Sequence, residues 1–176
     1  MLTHRLATLD DLPALKDLMA AAISELQAAF LNDAQIAASR RVMGLDTRLV
    51  SDGTYFLVEE EGVLAGCGGW SRRATLYGGD HSAKLRDDRL LDPLSEPARL
   101  RAMYTHPDFA RRGVGRLVVG LCEAAAREAG FTRMELMGTL AGEPLYVRCG
   151  YEPLERTASA PVDGVSVPLV RMARAL

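Results

Sequence analysis

The sequence predicts an α/β (α+β) fold, with one mixed and mostly antiparallel sheet flanked by helices. Three stretches carry that prediction. Residues 98–130 read as strand, glycine turn and helix. The next apolar run, Phe131 to Gly138, is then a strand parallel to the first, because a helix connects them. Tyr55 to Trp70 reads as an antiparallel hairpin, and the chain ends in a second strand pair turning at Asp163-Gly164.

Thr3 to Ala7 opens the chain as a strand. Thr8-Leu9-Asp10-Asp11 supplies capping side chains for a helix with the apolar face Leu12, Leu15, Leu18, Met19, Ala22, Ile23 and Leu26, and Pro13 is tolerated in its first turn. A second helix runs from Asp33 to Met43 with Ile36 and Val42 inward, and Asp46 to Gly53 is a connector. Phe30 and Leu31, at the join, either pack helix against helix or line a pocket. In the hairpin, Tyr55 to Val58 is β-rich, Glu59 to Gly62 is a solvated turn and Val63 to Trp70 is the return strand. Gly66, Gly68 and Gly69 mark the close approach of another backbone or a ligand, while Trp70 is either core or pocket wall. Residues 71–97 form a long excursion, and loops of that length are functional or mobile.

Ala98 to Thr105 is a strand that stops at His106-Pro107, since proline cannot donate to a ladder. Asp108 to Arg112 is a polar loop. Gly113-Val114-Gly115 opens a helix with Leu117, Val118, Leu121, Cys122, Ala125 and Ala129 on one face, and Gly130 stands where a C-terminal cap belongs. Leu145 to Tyr151 is a helical turn with a glycine cap, and Glu152–Thr157 and Val165–Met172 are the last strands.

Composition narrows the function. A chain of 176 residues is one domain, 1–176, by length, and 48% apolar with 25% charged residues is ordinary for a globular protein. A net charge of -2 gives no electrostatic footprint for nucleic acid. Cys67, Cys122 and Cys149 are odd in number and widely spaced, which points to a reducing compartment. With no long apolar segment and no membrane partner, the expected location is cytoplasmic. No His/Cys/Asp/Glu set has metal-ligand spacing, and no GxSxG or Cys/His arrangement supports a covalent nucleophile.

The glycine turn carries the chemistry. The first N–H groups of a helix lack internal partners and sit at the positive end of its dipole. Gly113 and Gly115 let a ligand's oxygens approach the backbone, and Arg111, Arg112 and Arg116 add positive charge. This is an anion cradle suited to phosphate or pyrophosphate. A dinucleotide fingerprint needs a third glycine where Val118 stands, and no Gly-Lys-Ser/Thr run is present. The stretch Ala110-Arg111-Arg112-Gly113-Val114-Gly115 resembles the Gln/Arg-x-x-Gly-x-Gly/Ala pyrophosphate loop of the GCN5-related N-acetyltransferases (GNAT superfamily), with Ala110 where Gln or Arg is usual. The segment around Tyr146, followed by Gly150-Tyr151, is similar to that family's short helix, tyrosine and Gly-Phe/Tyr. The likeness is strong over residues 98–151 and loose elsewhere.

The resemblance implies a GNAT-like sheet with a splayed parallel strand pair, acetyl-coenzyme A as co-substrate, and a primary amine of a small molecule or peptide as acceptor. It implies that Met103, Tyr104 and Thr105 meet the pantetheine and present an oxyanion donor, and that Arg111, Arg112, Gly113, Val114, Gly115 and Arg116 hold the pyrophosphate. It further implies that Thr139 faces the pantetheine arm and that Tyr146 is the acid that protonates the thiolate. Homodimers are common in the family; no interface is legible in this chain. A base is not identified: Glu96, Asp80 and His81 are candidates. Arg99 and Arg101 are either a solvated strand face or a site for an acceptor's carboxylate. A non-catalytic acyl-coenzyme A-binding module is the alternative reading, and a nucleotide-binding or redox domain a third.

Overall fold

Alternating apolar positions and tight turns build the antiparallel part of the sheet. The computed structural model describes residues 1–176. β1 (Leu2–Leu6) pairs with β2 (Tyr55–Glu60), which turns through Glu61 and Gly62, both at positive φ, into β3 (Val63–Ser71). β3 pairs antiparallel with β4 (Ala98–Thr105). On the far side, β6 (Glu152–Ala158) and β7 (Pro168–Ala175) form a hairpin, and β7 pairs with β5 (Arg133–Thr139) over seven residues. The order is β1-β2-β3-β4-β5-β7-β6, with β4 and β5 the parallel pair. The mixed, mostly antiparallel sheet is therefore as expected, with strand ends moved by one to three residues.

Helices cover both faces. α1 (Leu12–Leu26) and α2 (Asp33–Val42) bury Leu15, Ile23, Ile36 and Val42, and Asn32 caps α2 by accepting from Gln35 N. The stretch expected as a connector contains a short helix, α3 (Thr47–Ser51), because Asp46 accepts from Arg48 N and starts one. α4 (Val114–Glu128) covers the opposite face, and α5 (Glu143–Arg148) follows β5. The C-terminus of α4 is a Schellman motif: Gly130, at φ 91, donates to Arg127 O and Phe131 donates to Ala126 O. No helix is long and apolar enough to cross a membrane.

The glycines of β3 have an internal purpose. A Cβ on Gly66 would collide with Val114 Cγ1, and one on Gly68 with Met103 Sδ and, at 2.7 Å, with Val118 Cγ1. These glycines let α4 lie against the sheet, so the close approach is by a helix of the same chain. They also turn the buried face of α4 toward Val114, Val118, Val119, Cys122 and Ala126, leaving Leu121 half-buried. Trp70 is core, edge-on to Phe131 at 6.1 Å, and takes no part in a pocket wall.

The 71–97 excursion is folded. Arg73 bridges to Leu90, and Arg73 also forms a two-bond pair with Asp52. Arg101, in the middle of β4, is 3% exposed and reaches Asp46 at 2.8 Å, the Thr75 carbonyl at 3.2 Å and the Gly78 carbonyl at 3.0 Å. This corrects the view of Arg99 and Arg101 as a solvated face or a carboxylate site: Arg99 pairs with Glu135, and Arg101 ties the excursion to the central strand. Glu59 and Glu60 are likewise strand residues paired with Arg5 and Arg112, and only the Glu61-Gly62 tip is solvated.

Removing one partner of a buried pair leaves the other charge uncompensated. Asp46→Ala strands Arg101 and leaves Arg86 with only its longer pairs to Asp88 and Asp80. We expect a loss of about 3–5 kcal/mol in denaturant unfolding, with the excursion becoming the first segment to exchange its amide hydrogens. Unchanged stability would mean that Arg101 finds solvent, and that the excursion is held by other contacts.

Candidate active site

The parallel pair is short. Only Ala98↔Met134 and Arg99↔Glu135 are in register, after which β4 and β5 diverge. The divergence opens a slot through the sheet, occupied by a cavity of about 970 Å³ that reaches both faces. Leu100 to Thr105 form one wall, and Met137 and Thr139 the other.

The end of β4 is bent by a bulge. Gly69 faces Arg101 and Cys67 faces Tyr104, so Gly68 alone opposes Ala102 and Met103. Ala102 sits at φ 50, a left-handed conformation that alanine rarely adopts. The buried Tyr55 hydroxyl donates to the Ala102 carbonyl at 2.7 Å and holds the bulge. Past Arg99 the edge of β4 that faces β5 has no strand partner, so its backbone groups are available to whatever fills the slot.

One end of the cavity is positive. After a short turn at Pro107–Phe109, Arg111 (φ 63) and Gly113 (φ 89) take left-handed conformations and aim the N-terminus of α4 at the cavity. The N–H groups of Val114, Gly115 and Arg116 have no carbonyl partner, and no side chain caps the helix. A Cβ on Gly113 would meet nothing within 4 Å, whereas one on Gly115 would meet Leu145 Cδ2 at 2.7 Å. Gly113 thus faces open space, and Gly115 is small so that α5 can pack. Arg111, Arg116 and Arg148 line this end with neither an ion pair nor a hydrogen bond to protein. Every other arginine in the chain has a carboxylate, a carbonyl, a hydroxyl or an aromatic ring as partner; Arg112 lies over Phe109 at 5.1 Å and pairs with Glu60.

The expected residues therefore divide. Met103, Tyr104, Thr105 and Thr139 line the slot, and Arg111, Gly113, Val114, Gly115 and Arg116 line the positive end. Arg112 does not, because its partners hold it on the outer side of the loop. Arg148 was not anticipated; it lies two residues beyond Tyr146 on a helical turn too short to show periodicity. Thr139 Oγ1 accepts from Gly142 N at 3.1 Å, which shapes the turn into α5 and leaves the hydroxyl proton free.

Tyr146 stands where slot and positive end meet. Its ring fills space left by Gly138 and Gly142, where a Cβ would lie 3.3 Å and 3.0 Å from Cε2. It is 8% exposed, lines the cavity, and its hydroxyl makes no hydrogen bond to protein. Burial holds its pKa well above the ordinary tyrosine value, so it is a phenol at neutral pH.

The proposed bases lie elsewhere. Glu96 pairs with Arg89 and caps Asp92 N, Asp80 accepts from Thr47 N and Oγ1, and His81 is exposed beside Gly44; none lines the cavity. The other end of the cavity is formed by α1, the start of the 43–46 link and the tip of the excursion: Ile23, Leu26, Phe30, Met43, Leu76 and Tyr77. Phe30 faces it, while Leu31 packs with Ile23, Ile36 and Val42 in the core.

Comparison with known proteins agrees with this fold. The structure resembles a GCN5-related N-acetyltransferase from Rhodopseudomonas palustris (TM-score 0.71, 16% identity, 99% of this chain and 95% of that one). It also resembles the PaiA N-acetyltransferase of Thermoplasma acidophilum in complex with coenzyme A (0.68, 13%, 100% and 99%). A third is a ribosomal-protein-alanine N-acetyltransferase from Brucella melitensis (0.66, 20%, 99% and 99%). At these identities the likeness is one of fold. No curated protein matches the chain by sequence. Residues 19–151, however, match the acetyltransferase (GNAT) family profile, and with three quarters of its length so matched the chain belongs to the acetyltransferase (GNAT) family.

Proposed function

We propose that residues 1–176 form one acetyltransferase domain that moves an acetyl group from acetyl-coenzyme A to a primary amine by direct attack in a ternary complex. The observation that carries this reading is the set of three unpartnered arginines, Arg111, Arg116 and Arg148, around the free N-terminus of α4. A pyrophosphate supplies the charge that these groups lack. Open space at Gly113 admits its oxygens to the backbone. The unpaired edge of β4 at Met103 to Thr105 suits the amides of a pantetheine arm, with Thr139 opposite. Family membership and the coenzyme A complex of a structural relative support the same co-substrate.

The chain's own groups then divide the work. The arginines and the α4 N–H groups hold the phosphates, and the β4 edge orients the thioester and offers a backbone N–H to its developing oxyanion. Tyr146, neutral and without a protein partner, gives its proton to the departing sulfur. Transfer needs no covalent enzyme intermediate. A second reading, a non-catalytic acyl-coenzyme A-binding module, is favoured by one observation: no carboxylate or imidazole lines the cavity to serve as base.

Two experiments test the proposed roles. With acetyl-coenzyme A and a turned-over amine, Tyr146→Phe should lower kcat about a hundredfold or more and leave the coenzyme Kd within about twofold. Because burial raises the Tyr146 pKa, wild-type kcat should not fall as pH rises toward the usual tyrosine value of 10.0. Full activity in the variant would remove Tyr146 from the mechanism. Separately, Gly113→Ala places a Cβ on a left-handed residue at the phosphate end. It should weaken coenzyme binding about tenfold by calorimetry while lowering stability only about 1–2 kcal/mol. Unchanged affinity would place the pyrophosphate away from α4.

A further inference from the structure

The amine end of the cavity carries no negative charge. No aspartate, glutamate or histidine lines any part of the cavity, and its charged side chains are all arginines. Arg101 is neutralised there by Asp46, which lies behind the wall at 2% exposure. Most of the remaining surface at this end, including Ile23, Leu26, Phe30, Val42, Leu76 and Met137, is apolar. An ammonium entering from water loses its hydration with no carboxylate to replace it. No carboxylate or imidazole at this end accepts its proton, and a protonated amine cannot attack. A nitrogen that is already uncharged in neutral solution meets neither barrier.

Of the polar side chains at this end, which include Tyr77 and Tyr104, Gln27 alone has a buried oxygen with no partner. Gln27, just past α1, lines the cavity at 6% exposure, with Nε2 3.7 Å from Met43 Sδ and Oε1 without any partner. Buried amide oxygens in folded proteins are nearly always satisfied. The oxygen is buried, so a turn of the amide toward the cavity that Gln27 lines brings it the bound N–H that it lacks.

Resting on the acetyltransferase reading above, we propose that the acceptor is an apolar primary amine of low basicity, of which an arylamine is the simplest kind. Gln27 is the specificity-determining residue that accepts one of its N–H groups, while its apolar body lies against Phe30, Leu76 and Tyr77. The nitrogen lone pair forms the C–N bond as the C–S bonding pair departs on sulfur. Tyr146 protonates the departing thiolate, and the acylated nitrogen, now strongly acidic, releases its surplus proton through solvent to the Tyr146 phenolate, giving an N-acetyl amine and free coenzyme A. Such an amine is neutral before it binds, which reconciles a transferase with a cavity that holds no base.

The test is thiol release from acetyl-coenzyme A at neutral pH, comparing aniline and alkyl-substituted anilines with spermidine, an aminoglycoside and a lysine-containing peptide. We expect kcat/KM for the anilines to exceed that for the ammonium acceptors about a hundredfold. Gln27→Leu should raise the aniline KM about tenfold with an unchanged acetyl-coenzyme A KM and an unchanged or higher melting temperature. Gln27→Glu should improve alkylamine turnover. Preference for spermidine, aminoglycoside or lysine would overturn the substrate class and leave the transferase standing. Calorimetric binding of acetyl-coenzyme A with transfer to none of the amines would overturn the transferase and this proposal together. If Gln27→Leu melts earlier yet keeps the aniline KM, Gln27 is structural and its part in the proposal fails.

Discussion

Two register pairs join β4 to β5, and the cavity depends on the pairing stopping there. Divergent strands leave backbone donors and acceptors unpaired, an arrangement that persists only when each strand is held from elsewhere. β5 is held by β7 over seven pairs. β4 is held by β3, by the Tyr55 hydroxyl on the Ala102 bulge and by the buried Arg101–Asp46 pair. The slot is therefore fixed from its outer sides. A rigid slot keeps its backbone groups oriented before any ligand arrives, so their alignment need not be achieved at the moment of binding.

The second constraint is the placement of α4. Its N-terminus can act on the cavity only if the helix lies close to the sheet, and Gly66 and Gly68 on β3 remove the side chains that would hold it away. Left-handed Arg111 and Gly113 then swing the chain from the strand end into the helix within a few residues. The same small residues that permit packing thus aim a dipole.

Much of this was legible, because it is local. The hairpin turns, the C-terminal cap of α4, the glycine loop before that helix and the short helix around Tyr146 all follow from residues adjacent in sequence or at helical spacing. What was not legible depends on partners far along the chain. Arg101 looked like a strand-face charge because Asp46 is 55 positions away. Arg112 looked like part of the cradle because nothing in its own loop shows Glu60 waiting on β2. The β3 glycines announced a close approach without naming the helix that makes it, and Gln27 carries no local signal at all. A pattern can place a charge on an element; only the tertiary fold decides whether that charge is already neutralised.

That decision is what gives the cavity its character. Lys16 and Lys84 are the only lysines, so nearly every cation is a guanidinium, whose planar fork favours fixed, two-bond carboxylate pairs. Arg5, Arg73, Arg89 and Arg156 all form such pairs. Each pair removes one anion and one cation from the field seen by a ligand. With the carboxylates engaged outside the cavity, the charge left facing inward is that of Arg111, Arg116 and Arg148 at one end, and there is none at the other. The molecule thus presents a positively charged end and an uncharged apolar end on either side of one slot. On the proposed reading, the co-substrate carries its negative charge at the first end and delivers its acyl group to an acceptor that brings no charge of its own.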